Sequence, residues 1–497
     1  MMSWISKNKE ILLLFFIAFL SRLILVFTAC GIANDGCSYV WLAKEIAVGN
    51  FDKVFSSILP PLFPILIAGT SYIFQDFELS GRLISCIFGS LTVFPLFFLI
   101  KEIFDRKIAI ITVLFFIVHP YLLQASGMVL TEALFYFLTT SIACISWIAI
   151  QKRRQSLFLI VGVLLSFAFL TRFEGIFWTP LVLGWIWFAK LQDITTRIRW
   201  RLVSSFFCIT IFILASLPYS FFVSKGTEKF QICSRQQHYE TTFFEPTSST
   251  STPFQKTLTI LKSKLFYSVP RIPFFIAKAY YVAFLPFLFF GLLGRKKFNK
   301  FRIGEAYILS FILVRLLVLL VFAGINERFL FAFIPMALCW AGVGFWEINY
   351  YLQEKFRNKT FYIGEVLISH FSVVILVIIL IICLTKGMLP IRQHRAVQKE
   401  VGYWLKENTK QKEFIVISQS PQEAFYAEAK WYDLECGTYN EIINYAKEKD
   451  ATYIIIDKNI NQICPDFKKF VKADDMEILT TQFQESNREI IIYKLKK

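Results

Sequence analysis

Apolar runs long enough to cross a bilayer recur through this chain as far as residue 385, and short clusters of Lys and Arg separate them. About twenty helical residues span a hydrocarbon core. Such runs fall near residues 11–29, 81–100, 108–123, 132–150, 156–171, 175–189, 202–221, 273–293, 304–323, 329–347 and 363–385. Soluble domains do not hold this much apolar sequence: 56% of the 497 residues are hydrophobic and 18% aromatic. The pattern predicts an all-α polytopic membrane protein with about eleven transmembrane helices.

Lys and Arg outnumber Asp and Glu by 53 to 36, a formal net charge of +17. The excess sits between apolar runs, at Lys101/Arg106/Lys107, Lys152/Arg153/Arg154, Arg197/Arg199/Arg201, Arg295/Lys296/Lys297/Lys300/Arg302 and Lys355/Arg357/Lys359. Basic clusters of this kind mark cytoplasmic helix ends, so the charge is a topology signal and no nucleic-acid footprint. The amino terminus is then cytoplasmic and everything after residue 386 lies outside. One further apolar stretch, Pro61 to Phe74, would invert the later loops if it crossed. It is expected to be a juxtamembrane or re-entrant helix packed against protein. The first run is read as a span and no cleaved signal, because more spans follow and no clean small-residue cleavage site does.

This threading puts the unusual chemistry on the outer face. There lie residues 30–60, the stretch from His119-Pro120 to Glu132, the turn Thr171-Arg172-Phe173-Glu174-Gly175 and the turn Asn326-Glu327-Arg328. A polar loop near 224–270 carries the Ser/Thr-rich run 247–252, a composition that favours flexibility. The transmembrane domain is thus drawn as 1–385, with outer loops 30–80 and 224–270. Residues 386–497 read as a soluble α/β domain: helical patterning at 396–408 and 439–449 alternates with β-rich runs at 414–417, 453–456 and 490–493. Of ten cysteines, Cys436 with Cys464 is the favoured outward-facing pair, although sequence does not fix connectivity. There is no CxxC, HExxH or Gly-rich phosphate loop, so a zinc site is not expected.

Asp35 is the first candidate for chemistry. A carboxylate where a span meets its first outer loop is costly to hold near lipid, and so needs a polar cavity or a job. It can serve as a general base, although an acid in this place also suits a helix cap. Glu132 recurs in a similar setting and can orient an acceptor, assist a metal ion or hold Arg172 or Arg328; otherwise it flanks its span. Arg172 and Arg328 stand at outer turns and can take up a departing phosphate through the planar guanidinium fork. Their bland readings are a salt-bridged turn with Glu174 and a snorkelling anchor. Tyr39, His119 and Glu174 complete the set as substrate-binding candidates, the first two being residue types also common at interfaces.

The run through Asp35, then Pro60-Pro61-Leu62-Phe63-Pro64, Gly81-Arg82-Leu83, Thr131-Glu132 and Thr171-Arg172-Phe173-Glu174-Gly175 resembles the GT-C superfamily. Within it the similarity is to the group of protein O-mannosyltransferases and lipid A aminoarabinose transferases. Asn326-Glu327-Arg328-Phe329-Leu330 with Pro335 is similar to that group's late Arg-aromatic motif. The resemblance covers roughly residues 10–350. It implies a membrane glycosyltransferase of the cell envelope that takes a sugar from a polyprenyl-phosphate donor at the outer face of the cytoplasmic (inner) membrane. The acceptor would be a lipid, polysaccharide or protein. It further implies inversion at the anomeric carbon; the physical reading beside it makes Asp35 and Glu132 the catalytic acids and puts Arg172 and Arg328 on the donor phosphate. A divalent metal held by Asp35 and Glu132 is a possibility within the group. Many relatives carry two adjacent acids in the first outer loop, whereas here Asn34 precedes the single Asp35, which weakens that acid as a metal ligand.

The rival class is a transporter or flippase of lipid-linked saccharides, which would show mid-span charges, broken helices or inverted repeats. Arg315 is the one mid-span candidate and no repeat is visible. A non-catalytic anchored binding protein would not gather acids and arginines on one side. The threading predicts that a reporter active only outside the cell, fused after residue 400, will be active. Cytoplasmic reporter activity there would overturn the orientation.

Overall fold

A computed structural model of the chain describes residues 9–188, 194–225, 230–233, 262, 266–293, 302–323, 326–357, 362–391, 395–411, 413–434, 437–457, 476–485 and 488–496. The Ser/Thr-rich run 247–252 and the Cys436–Cys464 pairing lie outside the described residues. The chain forms two compact units. One comprises Met1–Val26 with Leu42–Leu389, the other Phe27–Trp41 with Pro390–Lys497. The segment holding Asp35 therefore belongs to the same unit as the carboxy-terminal domain.

The larger unit is helical. In chain order its helices are α1 (Lys9–Thr28), α2 (Asn34–Ala47, which begins in the other unit), α3 (Phe51–Phe55), α4 (Leu62–Phe74), α5 (Phe77–Leu91), α6 (Val93–Ile103), α7 (Arg106–Val118) and α8 (Pro120–Ala125). There follow α9 (Glu132–Gln151), α10 (Leu157–Thr171), a 3-10 turn Phe173–Phe177, α11 (Trp178–Phe188) and α12 (Ile194–Ser224). Last come α13 (Ile272–Tyr280), α14 (Leu285–Leu293), α15 (Arg302–Val318) running into a π turn Leu319–Ala323, α16 (Glu327–Leu330), α17 (Ile334–Arg357) and α18 (Tyr362–Gly387).

Every apolar run read from the sequence falls on helix, but several are broken. Among the described residues five helices are long and apolar enough to cross a membrane, and a pair bent by 89° makes a sixth if it counts as one span. The bend is at Tyr281, a non-glycine residue with φ 70°. His119 closes α7 and caps α8, with Pro120 at the first helical position. The stretch expected to be re-entrant is the 13-residue helix α4. At 1.5 Å per residue such a helix covers roughly two-thirds of a hydrocarbon core.

Side chains and glycines explain how these helices pack. Asp76 and Asp105 cap α5 and α7 by accepting from the N–H groups of Leu79 and Ile108. Gly291 and Gly344 let α14 and α17 touch backbone to backbone: a Cβ on either would collide with the carbonyl of Trp340 or Phe287. The basic clusters meet partners at the far ends of the helices, Arg106 with Glu10 at 3.0 Å and Lys152 with Glu102 at 3.1 Å.

The smaller unit carries a five-stranded sheet in the order β2-β1-β3-β5-β4. Its strands are β1 (Ile415–Ser418), β2 (Lys430–Asp433), β3 (Tyr453–Asp457), β4 (Met476–Glu485) and β5 (Arg488–Leu495). β1 pairs in parallel with β2 and β3, and β5 runs antiparallel to β3 and β4. Alternation along β1 and β3 feeds two cores. Val416, Tyr453 and Ile455 pack under helix α19 (Ala396–Asn408), whereas Ile417, Ile454 and Ile456 pack under α21 (Tyr439–Glu448). Helix α20 (Gln422–Tyr426) lies between β1 and β2 in sequence and contributes Ala424 to the α19 side. At the start of α21, the Thr438 N–H donates to Glu441 at 2.7 Å and holds that carboxyl below its ordinary value.

A helical membrane body with a small α/β domain is thus what the chain forms. The α14–α17 contact predicts that Gly344→Ala will lower stability in lipid or detergent by about 1–3 kcal/mol, the usual cost of overpacking. An unchanged thermal midpoint would show that the two backbones do not meet there.

Candidate active site

The turn Thr171-Arg172-Phe173-Glu174-Gly175 doubles back on the end of α10. The Gly175 N–H donates to the Arg172 carbonyl at 2.8 Å, and a Cβ at Gly175 would strike the Ala168 backbone. Only glycine fits, and the fold-back brings Arg172 Nη2 to 3.4 Å from Glu174 Oε1. Glu174 is buried, and on its other side Arg315 Nη1 approaches the same oxygen at 3.9 Å. Arg315 comes from the last turn of α15, just before the π turn, and is itself 2% exposed.

The second half of the cluster forms across 196 residues of sequence. Glu132, the first residue of α9, accepts from Arg328 Nε at 2.9 Å and Nη2 at 2.6 Å, both on Oε1. Arg328 is oriented from below by Asn326, whose side chain accepts the Arg328 N–H at 3.1 Å. The neighbouring Thr131 hydroxyl accepts from Arg172 Nη1 at 3.4 Å, so one dipeptide touches both arginines. Arg315 joins the halves by donating Nε–H to the Phe329 carbonyl at 3.0 Å. Phe135 lies under Arg172 and Arg315, and Phe329 against Arg172, with guanidinium-to-centroid distances of 5.1–5.7 Å.

Among the described residues, three arginines thus meet two glutamates in this cluster. Glu132 Oε2 is buried with no hydrogen-bond partner among the described residues. Alongside, Lys278 and Glu327 form a neutral pair at 2.8 Å. Burial pushes the Glu327 carboxyl up, but the Lys278 hydrogen bond and nearby positive charge outweigh it and hold the group below its ordinary value. A cluster whose carboxylates are already engaged by arginine suits an anion and does not suit a metal cation. Among the described residues no three His, Cys, Asp or Glu side chains gather as metal ligands.

Of the residues singled out from sequence, Glu132, Arg172, Glu174 and Arg328 come together. Asp35 belongs to the other unit, exposed in the first turn of α2, and Tyr39 lies buried one turn further along. His119 is fully buried and acts as a helix cap, with Nδ1 accepting the Leu122 N–H at 3.4 Å and Nε2 set 3.3 Å from the Tyr280 carbonyl. Sequence reasoning left out Arg315 and Thr131. The signal for Arg315 was visible, a cation inside an apolar run, but it pointed to a transporter because the run hides how near the span's end it lies.

The Dolichyl-phosphate-mannose-protein mannosyltransferase family matches residues 59–217, which include Glu132, Arg172 and Glu174. No curated protein matches the chain in sequence. Among solved structures, the chain is similar to the oligosaccharyltransferase AglB of the archaeon Archaeoglobus fulgidus in complex with an inhibitory peptide and a dolichol-phosphate. The TM-score is 0.63 at 15% identity, over 99% of this chain and 75% of that one. It is also similar to ArnT from Cupriavidus metallidurans bound to undecaprenyl phosphate, with TM-score 0.61 at 11% identity over 97% of each chain. A third similar structure, the same A. fulgidus oligosaccharyltransferase with zinc and sulfate, has TM-score 0.60 at 14% identity over 90% of this chain and 68% of that one. The chain thus shares the fold of these membrane proteins, and the family match covers the part of the helical body that holds Glu132, Arg172 and Glu174.

The geometry makes the Glu132–Arg328 pair a joint between two distant helix ends. A double-mutant cycle of Glu132→Gln with Arg328→Met, read by unfolding in detergent, should give a coupling of about 1–2 kcal/mol. Additive losses would show that the pair is a solvated surface contact.

Proposed function

We propose that this chain is an integral membrane glycosyltransferase that moves a sugar from a polyprenyl-phosphate donor to an acceptor on the extracytoplasmic face of the cell membrane, with inversion. The observation that carries this reading is the cluster of Arg172, Arg315 and Arg328 around Glu132 and Glu174, with Arg315 itself buried. When the bond from the anomeric carbon to the phosphate oxygen breaks, the electron pair leaves with the phosphate. Fixed guanidinium groups stabilise the charge that develops, and do so most in a site shielded from water. The polyprenyl phosphates bound in the similar AglB and ArnT structures support a donor of this class.

The acceptor hydroxyl must lose its proton as it attacks the anomeric carbon. Asp35 is proposed as the base that takes it. Its carboxylate is exposed, in the first turn of α2. A single base and direct displacement invert the configuration. Glu132 then acts by holding Arg328, and Glu174 by holding Arg172 and Arg315. Placing the carboxy-terminal domain outside rests on the distribution of basic clusters along the chain.

The test is transfer by the purified protein in lipid, supplied with a panel of polyprenyl-phosphate sugars and envelope acceptors, with the product's anomeric configuration read by NMR. Asp35→Asn should lower turnover on the order of a hundredfold while donor binding persists. Arg172→Ala and Arg328→Ala should each weaken donor use, and the Lys variants should recover only part, because the planar fork is lost. Wild-type kinetics in both alanine variants would sink the phosphate assignment, and near-normal turnover in Asp35→Asn the base assignment.

A further inference from the structure

The segment Phe27–Trp41 is bound into the carboxy-terminal unit by its backbone and by Asn34. The Ile32 N–H donates to the Tyr426 hydroxyl at 3.0 Å, and the Ile32 carbonyl accepts from Gln422 Nε2 at 3.3 Å. The same Gln422 nitrogen lies 2.5 Å from Asn34 Oδ1, and Arg395 Nη1 donates to that oxygen as well. Two residues earlier, the Cys30 N–H pairs with the Ile391 carbonyl at 3.2 Å. The segment comes so close that a Cβ on Gly31 would meet Arg395 at 3.3 Å.

The holder is rigid. Gln422 and Tyr426 sit on α20, Gln422 is fully buried, and α20 packs on α19 through Gly402, where a Cβ would stand 2.5 Å from Tyr426 Cβ. Asn34 is the first residue of α2 and Asp35 the second. Fixing the Asn34 oxygen with two donors therefore fixes the helix start that carries Asp35.

We infer that Asn34, Gln422 and Arg395 are positioning residues through which the carboxy-terminal domain holds the segment bearing Asp35 in its working geometry. The catalytic consequence rests on Asp35 being the base; the tether itself does not. Misplacing a catalytic group by an ångström costs orders of magnitude in rate and leaves binding of the other substrate alone.

The test uses the full-length protein in lipid, with Asn34→Ala, Gln422→Ala and the conservative Asn34→Asp, which keeps an oxygen acceptor. Hydrogen–deuterium exchange of residues 27–41 and steady-state transfer kinetics are read on each. Both alanine variants should show exchange several-fold faster in that segment. Their kcat should fall by roughly tenfold with donor KM unchanged, and Asn34→Asp should restore slow exchange and most of the turnover. Wild-type exchange in Asn34→Ala, which is exposed and leaves the domain core intact, would overturn the tether. Faster exchange with wild-type kcat would overturn its role in catalysis. Asp35→Asn, measured in parallel, reports on the base assignment alone, since it leaves the Asn34 contacts in place.

Discussion

The helical unit depends on charges that cannot be left alone in an apolar body. Moving a guanidinium or a carboxylate out of water costs several kcal/mol even after relaxation, and removing one partner of a buried pair is worse than having no pair. Glu132 and Glu174 are nearly fully buried, and Arg315 is buried among the large core side chains. They are tolerable only as a set. Arg328 reaches Glu132 across the fold, and Arg172 and Arg315 share Glu174. Each contact depends on a helix end being where it is, so the network fixes the termini of α9, α10 and α15 relative to one another.

Helix termini are a natural place for this compromise. All five side chains come from a first turn, a last turn or the residues just beyond. There the backbone can leave helical geometry without burying unsatisfied groups in lipid. The turn at Gly175, the π turn after Val318 and the cap at Asn326 are local departures from the α-helix that aim a charged side chain. π turns inside helices are often found at functional sites, and this one directly follows the turn that delivers Arg315.

Much of this was legible in the residues. The apolar runs located the long helices of the body among the described residues, because burial in lipid leaves a long unbroken signal, whereas α2 and α3 lie outside them. The β-rich runs 414–417, 453–456 and 490–493 named three of the five strands. β2 was missed because it is a four-residue, largely exposed strand. β4 was missed because two register shifts blur its alternation. Thr131-Glu132 and the Arg172 turn stood out as motifs, since polar residues at the ends of apolar runs are conspicuous. Which acid meets which arginine was not legible, for pairing over 196 residues is set by packing and leaves no local pattern. His119, a substrate-binding candidate in the sequence, caps α8 in the fold, because its neighbour Pro120 fixes a helix start that needs an acceptor there.

Asn34 shows a different kind of hidden constraint. Read alone, it was a missing acid beside Asp35. In the fold its oxygen is the acceptor that ties residues near the start of the chain to Gln422, 388 residues later. Contacts of such separation form late, because the loop-closure entropy must be met before they reward it. During synthesis the helical body can assemble its arginine network by residue 330, whereas the segment bearing Asp35 gains its partners only when the last domain has folded. The order of assembly therefore makes the arginine cluster first and completes the surroundings of the proposed base last. A chain shortened before residue 422 would keep Glu132 and the three arginines and still lack the contact that orients Asn34.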